Sequence, residues 1–132
     1  MAFIGKWKFD RAENMTEFLL AAGAPPEAAQ EAGTLSSIVE CSKDGSNYTF
    51  KTQTDKGSLE HTFQLGSPFE LEIPGHGKKF TVVASDEGGK LVFKGTGGEG
   101  ITETREIKGN TMIVTVSKPG VSVVGKRILN RV

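Results

Sequence analysis

Hydrophobic and polar residues alternate along most of this chain. Leu59, His61, Phe63 and Leu65 share one parity while Glu60, Thr62 and Gln64 take the other, the pattern of a strand with one face in water. Phe69, Leu71 and Ile73 repeat it against Glu70 and Glu72, and Gly66-Ser67-Pro68 between the two runs predicts an antiparallel hairpin. Turn residues recur at Lys43-Asp44-Gly45-Ser46, Asp55-Lys56-Gly57, Gly75-His76-Gly77, Asp86-Glu87-Gly88-Gly89, Lys108-Gly109-Asn110 and Lys118-Pro119-Gly120. This punctuation predicts about ten short strands in an all-β barrel or sandwich, with a meander as the economical topology.

One stretch breaks the rhythm. From Asn14 to Ala32 the composition turns to Ala, Glu, Leu and Met, with Asn14 as a candidate cap and Glu17 at the capping-box position. Gly23 and Ala24 end this helix, and Pro25-Pro26-Glu27 opens a second with proline and an acid in its first turn. A helix pair is therefore expected after the first strand.

Taking the more apolar parity of each strand as inward places Trp7, Phe9, Tyr48, Phe50, Thr52, His61 and Phe63 inside, followed by Phe80, Val82, Leu91, Phe93, Met112, Val114 and Val116. Ile101, Glu103, Arg105 and Ile107 form a mixed run, and the last strand has apolar residues on both parities, so periodicity alone does not place Arg127. A lone arginine on a barrel strand is ordinarily solvated. Two, with Thr52, His61 and Glu103 on inward parities, imply a wet interior or an anionic guest, because a buried guanidinium without a partner costs more than its packing returns. A barrel of about ten strands is also too wide for side chains to fill, which leaves room for a polar-spotted cavity.

The chain has 132 residues, the size of one domain spanning 1–132. Its 16 Lys and Arg balance 16 Asp and Glu, so the basic excess of a general nucleic-acid binder is missing. Cys41 is the single cysteine and can form no internal disulfide. The start Met1-Ala2-Phe3-Ile4-Gly5-Lys6 lacks the apolar run of a secretory signal, Ala2 excludes N-myristoylation, and no run is apolar enough to span a bilayer. A cytoplasmic protein without stable membrane insertion is expected.

Other chemistry finds little support. His61 and His76 have no metal-ligand spacing to each other or to Cys41, so neither a metal nor another cofactor is expected. Gly95-Thr96-Gly97-Gly98-Glu99-Gly100 lacks the Lys-Ser/Thr and the following helix of a phosphate loop, and reads as a hairpin turn. No nucleophile motif marks a hydrolase, and the chain is not expected to be an enzyme.

Gly5-Lys6-Trp7-Lys8-Phe9, then Glu13-Asn14 and Phe18, resemble the N-terminal signature of the intracellular lipid-binding proteins, the fatty-acid-binding protein family. Thr104-Arg105-Glu106-Ile107-Lys108-Gly109-Asn110 is similar to the stretch that carries the family's first ligand-binding arginine, and Lys126-Arg127-Ile128 to that of the second. Pro26-Glu27, Glu70-Leu71-Glu72, Thr81-Val82-Val83 and Gly89-Lys90-Leu91-Val92 look most like the liver and ileal branch. Those forms generally lack a counterpart of Arg105, which muscle and adipocyte forms have, so this chain mixes two patterns. Met15 and Thr16 replace the usual aromatic and acidic residues after the asparagine, and Leu129 stands where many members have a tyrosine. The last hairpin, around Ser117-Lys118-Pro119-Gly120-Val121, is about two residues longer than usual.

The resemblance implies a ten-stranded antiparallel up-and-down β-barrel, clam-like, with a helix-turn-helix lid after the first strand. It implies a monomeric carrier of long-chain fatty acids, with Arg105 and Arg127 at the ligand carboxylate. Met15, Phe18, Phe50, Thr52, His61, Phe63, Val114 and Leu129 would line the cavity. The alternative guest is a bulkier amphiphile: a bile acid, another sterol or a retinoid.

Overall fold

A computed structural model describes residues 3–34, 36–55, 57–72, 79–96 and 100–132. The elements run β1 (Gly5–Glu13), α1 (Met15–Ala21), α2 (Pro26–Ala32), β2 (Ser37–Asp44), β3 (Asn47–Thr54), β4 (Gly57–Phe63) and β5 (Pro68–Glu72). They continue as β6 (Lys79–Glu87), β7 (Lys90–Gly95), β8 (Thr102–Lys108), β9 (Thr111–Ser117) and β10 (Gly125–Arg131). The ten strands form one antiparallel sheet in the order β4-β3-β2-β1-β10-β9-β8-β7-β6-β5. Pairing of β1 with β10 nearly closes it into a barrel, and a register shift between Phe9 and Arg11 bends β1 at that seam.

The turn chemistry accounts for the meander. Gly88 and Gly89 join β6 to β7 with φ of 67° and 88°, values that side-chain-bearing residues rarely adopt and that suit a tight hairpin. Alternation is cleanest on β9, where Met112, Val114 and Val116 are buried and their neighbours half-exposed.

The predicted hairpin of β4 and β5 is not formed. These strands are the two ends of the sheet and share no ladder. The Gly66 amide instead donates to the Ala84 carbonyl oxygen at 2.9 Å, Ser67 bonds back to Gln64, and Pro68 has no amide hydrogen to offer. Side chains bridge the gap. Phe63 and Phe69 stack with centroids 4.8 Å apart, and the Glu72 amide donates to His61 Nε2 at 3.1 Å. Leu65, expected on the strand's apolar face, lies in the turn and is 40% exposed. Ile73, the Gly75-His76-Gly77 turn and Gly97-Gly98-Glu99 lie outside the described residues.

The helix pair is present where predicted, but its cap differs. Asn14 adopts the left-handed conformation, φ 56°, and its side chain makes no capping bond, so the capping box with Glu17 is not built. Met15, Phe18 and Leu19 turn the apolar face of α1 inward, and Ala29 and Ala32 do the same for α2. Thr16 Oγ1 donates to the Ala29 carbonyl oxygen at 3.1 Å and ties the helices together. Gly125 provides the seat on β10: a Cβ there would stand 3.0 Å from Met15 Sδ and 3.2 Å from Phe18 Cβ. Among the described residues no helix is long and apolar enough to cross a membrane.

Candidate functional site

Both arginines face one cavity. Arg105 on β8 and Arg127 on β10 line it together with the apolar side chains of Met15, Val39, Leu59, Val114, Val116 and Leu129. Ser37, Thr52, His61, Glu72 and Glu103 complete the wall. Of the residues expected to line a cavity, Met15, Thr52, His61, Val114 and Leu129 do so. Phe18, Phe50 and Phe63 are also buried: Phe18 packs against Gly125, and the other two belong to an aromatic cluster, with Phe50 under the Arg105 guanidinium.

That cluster is tightly packed. Phe63 stacks on Tyr48 at 5.3 Å and meets Phe50 and Phe93 edge-on at 5.3 and 5.2 Å. The cavity lined by the two arginines is about 40 Å³. At about 10–15 Å³ per water it has room for roughly three water molecules. Among the described residues the cluster holds five rings, from β3, β4, β5 and β7.

The two arginines stand in different surroundings. Arg127 is 9% exposed; its Nη1 donates to the Ala32 carbonyl oxygen at 3.1 Å and its Nη2 to Ser37 Oγ at 3.2 Å, while the guanidinium lies 4.6 Å from the centre of the Phe9 ring. Burial pushes its pKa down to about 10, with the Arg105 charge adding to the shift and Glu103 opposing it. Arg127 is therefore charged at neutral pH, at a cost that an anionic guest would relieve.

Arg105 has an anion already. Its Nε donates to Glu103 Oε2 at 3.0 Å, with the two side chains 12% and 5% exposed, and its guanidinium lies 5.0 Å above the Phe50 ring. Sequence parity placed Glu103 inward without indicating this pair. A second carboxylate close to Glu103 meets repulsion, about 4 kcal/mol for charges 4 Å apart at an effective dielectric of about 20.

His61 accepts the Glu72 amide on Nε2, and burial lowers its pKa below 6.5, with Glu103 and Glu72 opposing the shift and Arg105 and Lys79 adding to it. Cys41 is buried in the wall of β2, and desolvation raises its thiol to about 11 despite the pull of Arg105 and Arg131. An un-ionised buried thiol is no nucleophile at neutral pH. Among the described residues no three His, Cys, Asp or Glu side chains gather to hold a metal.

A barrel with a two-helix lid and two interior arginines matches one sequence profile throughout: residues 1–132 fit the Lipocalin / cytosolic fatty-acid binding protein family. The chain belongs to this family. Gastrotropin of Sus scrofa is 38% identical over 93 residues, covering 70% of this chain and 72% of the relative. "Fatty acid binding protein 1-A, liver" of Danio rerio is 32% identical over 132 residues, covering 100% and 99%. Among solved structures, the Schistosoma mansoni fatty acid binding protein in complex with arachidonic acid superposes with a TM-score of 0.88 at 25% identity, covering 99% of this chain and 96% of that one. Gastrotropin and liver forms among the relatives agree with the liver and ileal resemblance of the sequence. This fatty-acid-binding family is one of lipid-binding carriers, not enzymes.

Proposed function

We propose that this protein is a monomeric cytoplasmic carrier that reversibly binds a long-chain fatty acid inside the barrel, its carboxylate held by Arg127 and by the Nη edge of Arg105. The observation that carries this reading is the convergence of both arginines on one cavity that six apolar side chains also line. At ~0.8 kcal/mol per buried CH₂ a long alkyl tail contributes about ten kcal/mol gross, against roughly 1.5 to 3 for a charge-assisted hydrogen bond. The tail supplies affinity and the arginines select the head. Association entropy and desolvation reduce the net, which points to micromolar to nanomolar binding.

Polar wall residues give a second reading some weight. His61, Glu72 and Glu103 spread polarity over more of the cavity than one carboxylate uses, as suits a bulkier amphiphile such as a bile acid, another sterol or a retinoid. Native mass spectrometry of the purified protein, followed by competition of these ligands against a bound fluorescent fatty acid, tests both. Failure of every fatty acid to bind or compete would overturn the first reading.

A further inference from the structure

Glu103 is an unusual wall for a chamber that takes carboxylates. It is 4% exposed, lines the cavity, and bonds through Oε2 to Arg105 Nε; among the described residues no other donor reaches its side chain. An ionised carboxylate offers about four acceptor sites, so most of this buried group's capacity remains for a guest. Arg105 also directs Nη1 towards Met112 Sδ at 3.8 Å, a weak acceptor that a ligand oxygen would replace with advantage. Glu103 and Arg105 are two residues apart on β8 and bonded side by side, so a head at the Nη edge also lies beside the Glu103 carboxylate.

We propose that Glu103 is the specificity-determining residue of this cavity, disfavouring a bare carboxylate beside Arg105 and favouring an amphiphile with a hydroxyl next to its acid group. The guest's carboxylate takes the guanidinium edge, and its hydroxyl donates to Glu103, turning a repulsive neighbour into a hydrogen-bond acceptor. Glu72 is the other carboxylate of the wall, but it pairs in register with Lys79 across β5 and β6, at the open gap of the sheet. The inference rests on the fatty-acid reading above and narrows its ligand class to hydroxylated acids.

The test is calorimetric titration of delipidated protein with hexadecanoic acid and with 2-hydroxyhexadecanoic acid. The unmodified protein should bind the hydroxy acid about ten-fold more tightly, the low end for a hydrogen bond to a charged group. In Glu103→Gln the plain acid should tighten by about ten-fold and the hydroxy acid's advantage should shrink below roughly three-fold. The ranking in unmodified protein stands even if the variant folds poorly. Equal affinities there, or a ratio unchanged in Glu103→Gln, overturn the assignment of Glu103 and leave the carrier reading standing. If neither acid binds either protein, both readings fall.

Discussion

Arg127 and Ala32, 95 positions apart in the chain, meet in a hydrogen bond of 3.1 Å from the guanidinium to the last carbonyl oxygen of α2. The cation proposed to receive the ligand's head therefore also anchors the lid, and occupation of the cavity and seating of α2 act on one side chain.

Arg127→Gln should accordingly do two things. It should weaken a fatty acid by about ten-fold or more, the scale of a charge-assisted hydrogen bond, and weaken the methyl ester less. It should also speed amide exchange in α2. Arg105→Gln should likewise weaken the acid more than the ester but without the change in α2, while destabilising the fold because Glu103 is left buried without its partner. Equal losses for acid and ester in both variants would remove the arginines from headgroup recognition.

Leu129 is buried in the cavity wall on the same face of β10 as Arg127. Leu129→Tyr should place a hydroxyl near the ligand's head and tighten carboxylate binding by about 1 kcal/mol, the order of one net hydrogen bond. The larger ring should at the same time lower stability in a cavity this small. Unchanged or weaker affinity for the acid, measured against its methyl ester, would place the head elsewhere.

His61 links the ends of the open sheet only while Nε2 keeps its lone pair for the Glu72 amide. Because its folded-state pKa lies below the unfolded 6.5, the unfolded chain binds more protons in the window between those values. The stabilisation is full above pH 6.5 and declines as pH falls through the folded pKa. Urea midpoints measured from pH 7.5 down to 5 should fall in the unmodified protein, and His61→Phe should lack this component. Identical slopes would show that the bond across the gap carries no pH dependence.

The sequence revealed strands more readily than their closure. Met112, Val114 and Val116 alternate cleanly because β9 has one face inward, whereas on β10 Ile128 and Leu129 are both buried and the alternation that would place Arg127 is lost. Gly66-Ser67-Pro68 marks a chain reversal, but whether the strands beside it pair depends on where the Gly66 amide bonds, a tertiary matter. The inward parity of Glu103 and Arg105 was legible; their 3.0 Å bond was not, since neighbours two apart on a strand face can equally point away from each other. Parity likewise reads Tyr48, Phe50, Phe63 and Phe93 as inward, but that they and Phe69 pack into one cluster depends on rotamers and strand tilt.

Delivery of the lipid turns on the charge of the lid. Between Ala12 and Cys41 the chain carries Glu13, Glu17, Glu27, Glu31 and Glu40 and no lysine or arginine. Glu17 and Glu27 are exposed in the first turns of α1 and α2, where they favour their own helices, Glu31 is half-buried, and neither helix has a basic residue in its last turn. A basic residue near an anionic bilayer gains roughly 1 kcal/mol, and an acidic face is repelled instead. Lid-first collision with such a surface is therefore disfavoured, and lipid should leave by diffusion through water. Transfer of a fluorescent fatty acid to acceptor vesicles should be insensitive to their concentration and to their content of anionic lipid. Replacing Glu17 and Glu31 together by lysine should introduce both dependences, with transfer rising as acceptors are added. If the unmodified protein already transfers faster to anionic vesicles, the lid does not keep the carrier off the membrane and its acidic residues serve only to solvate the helices.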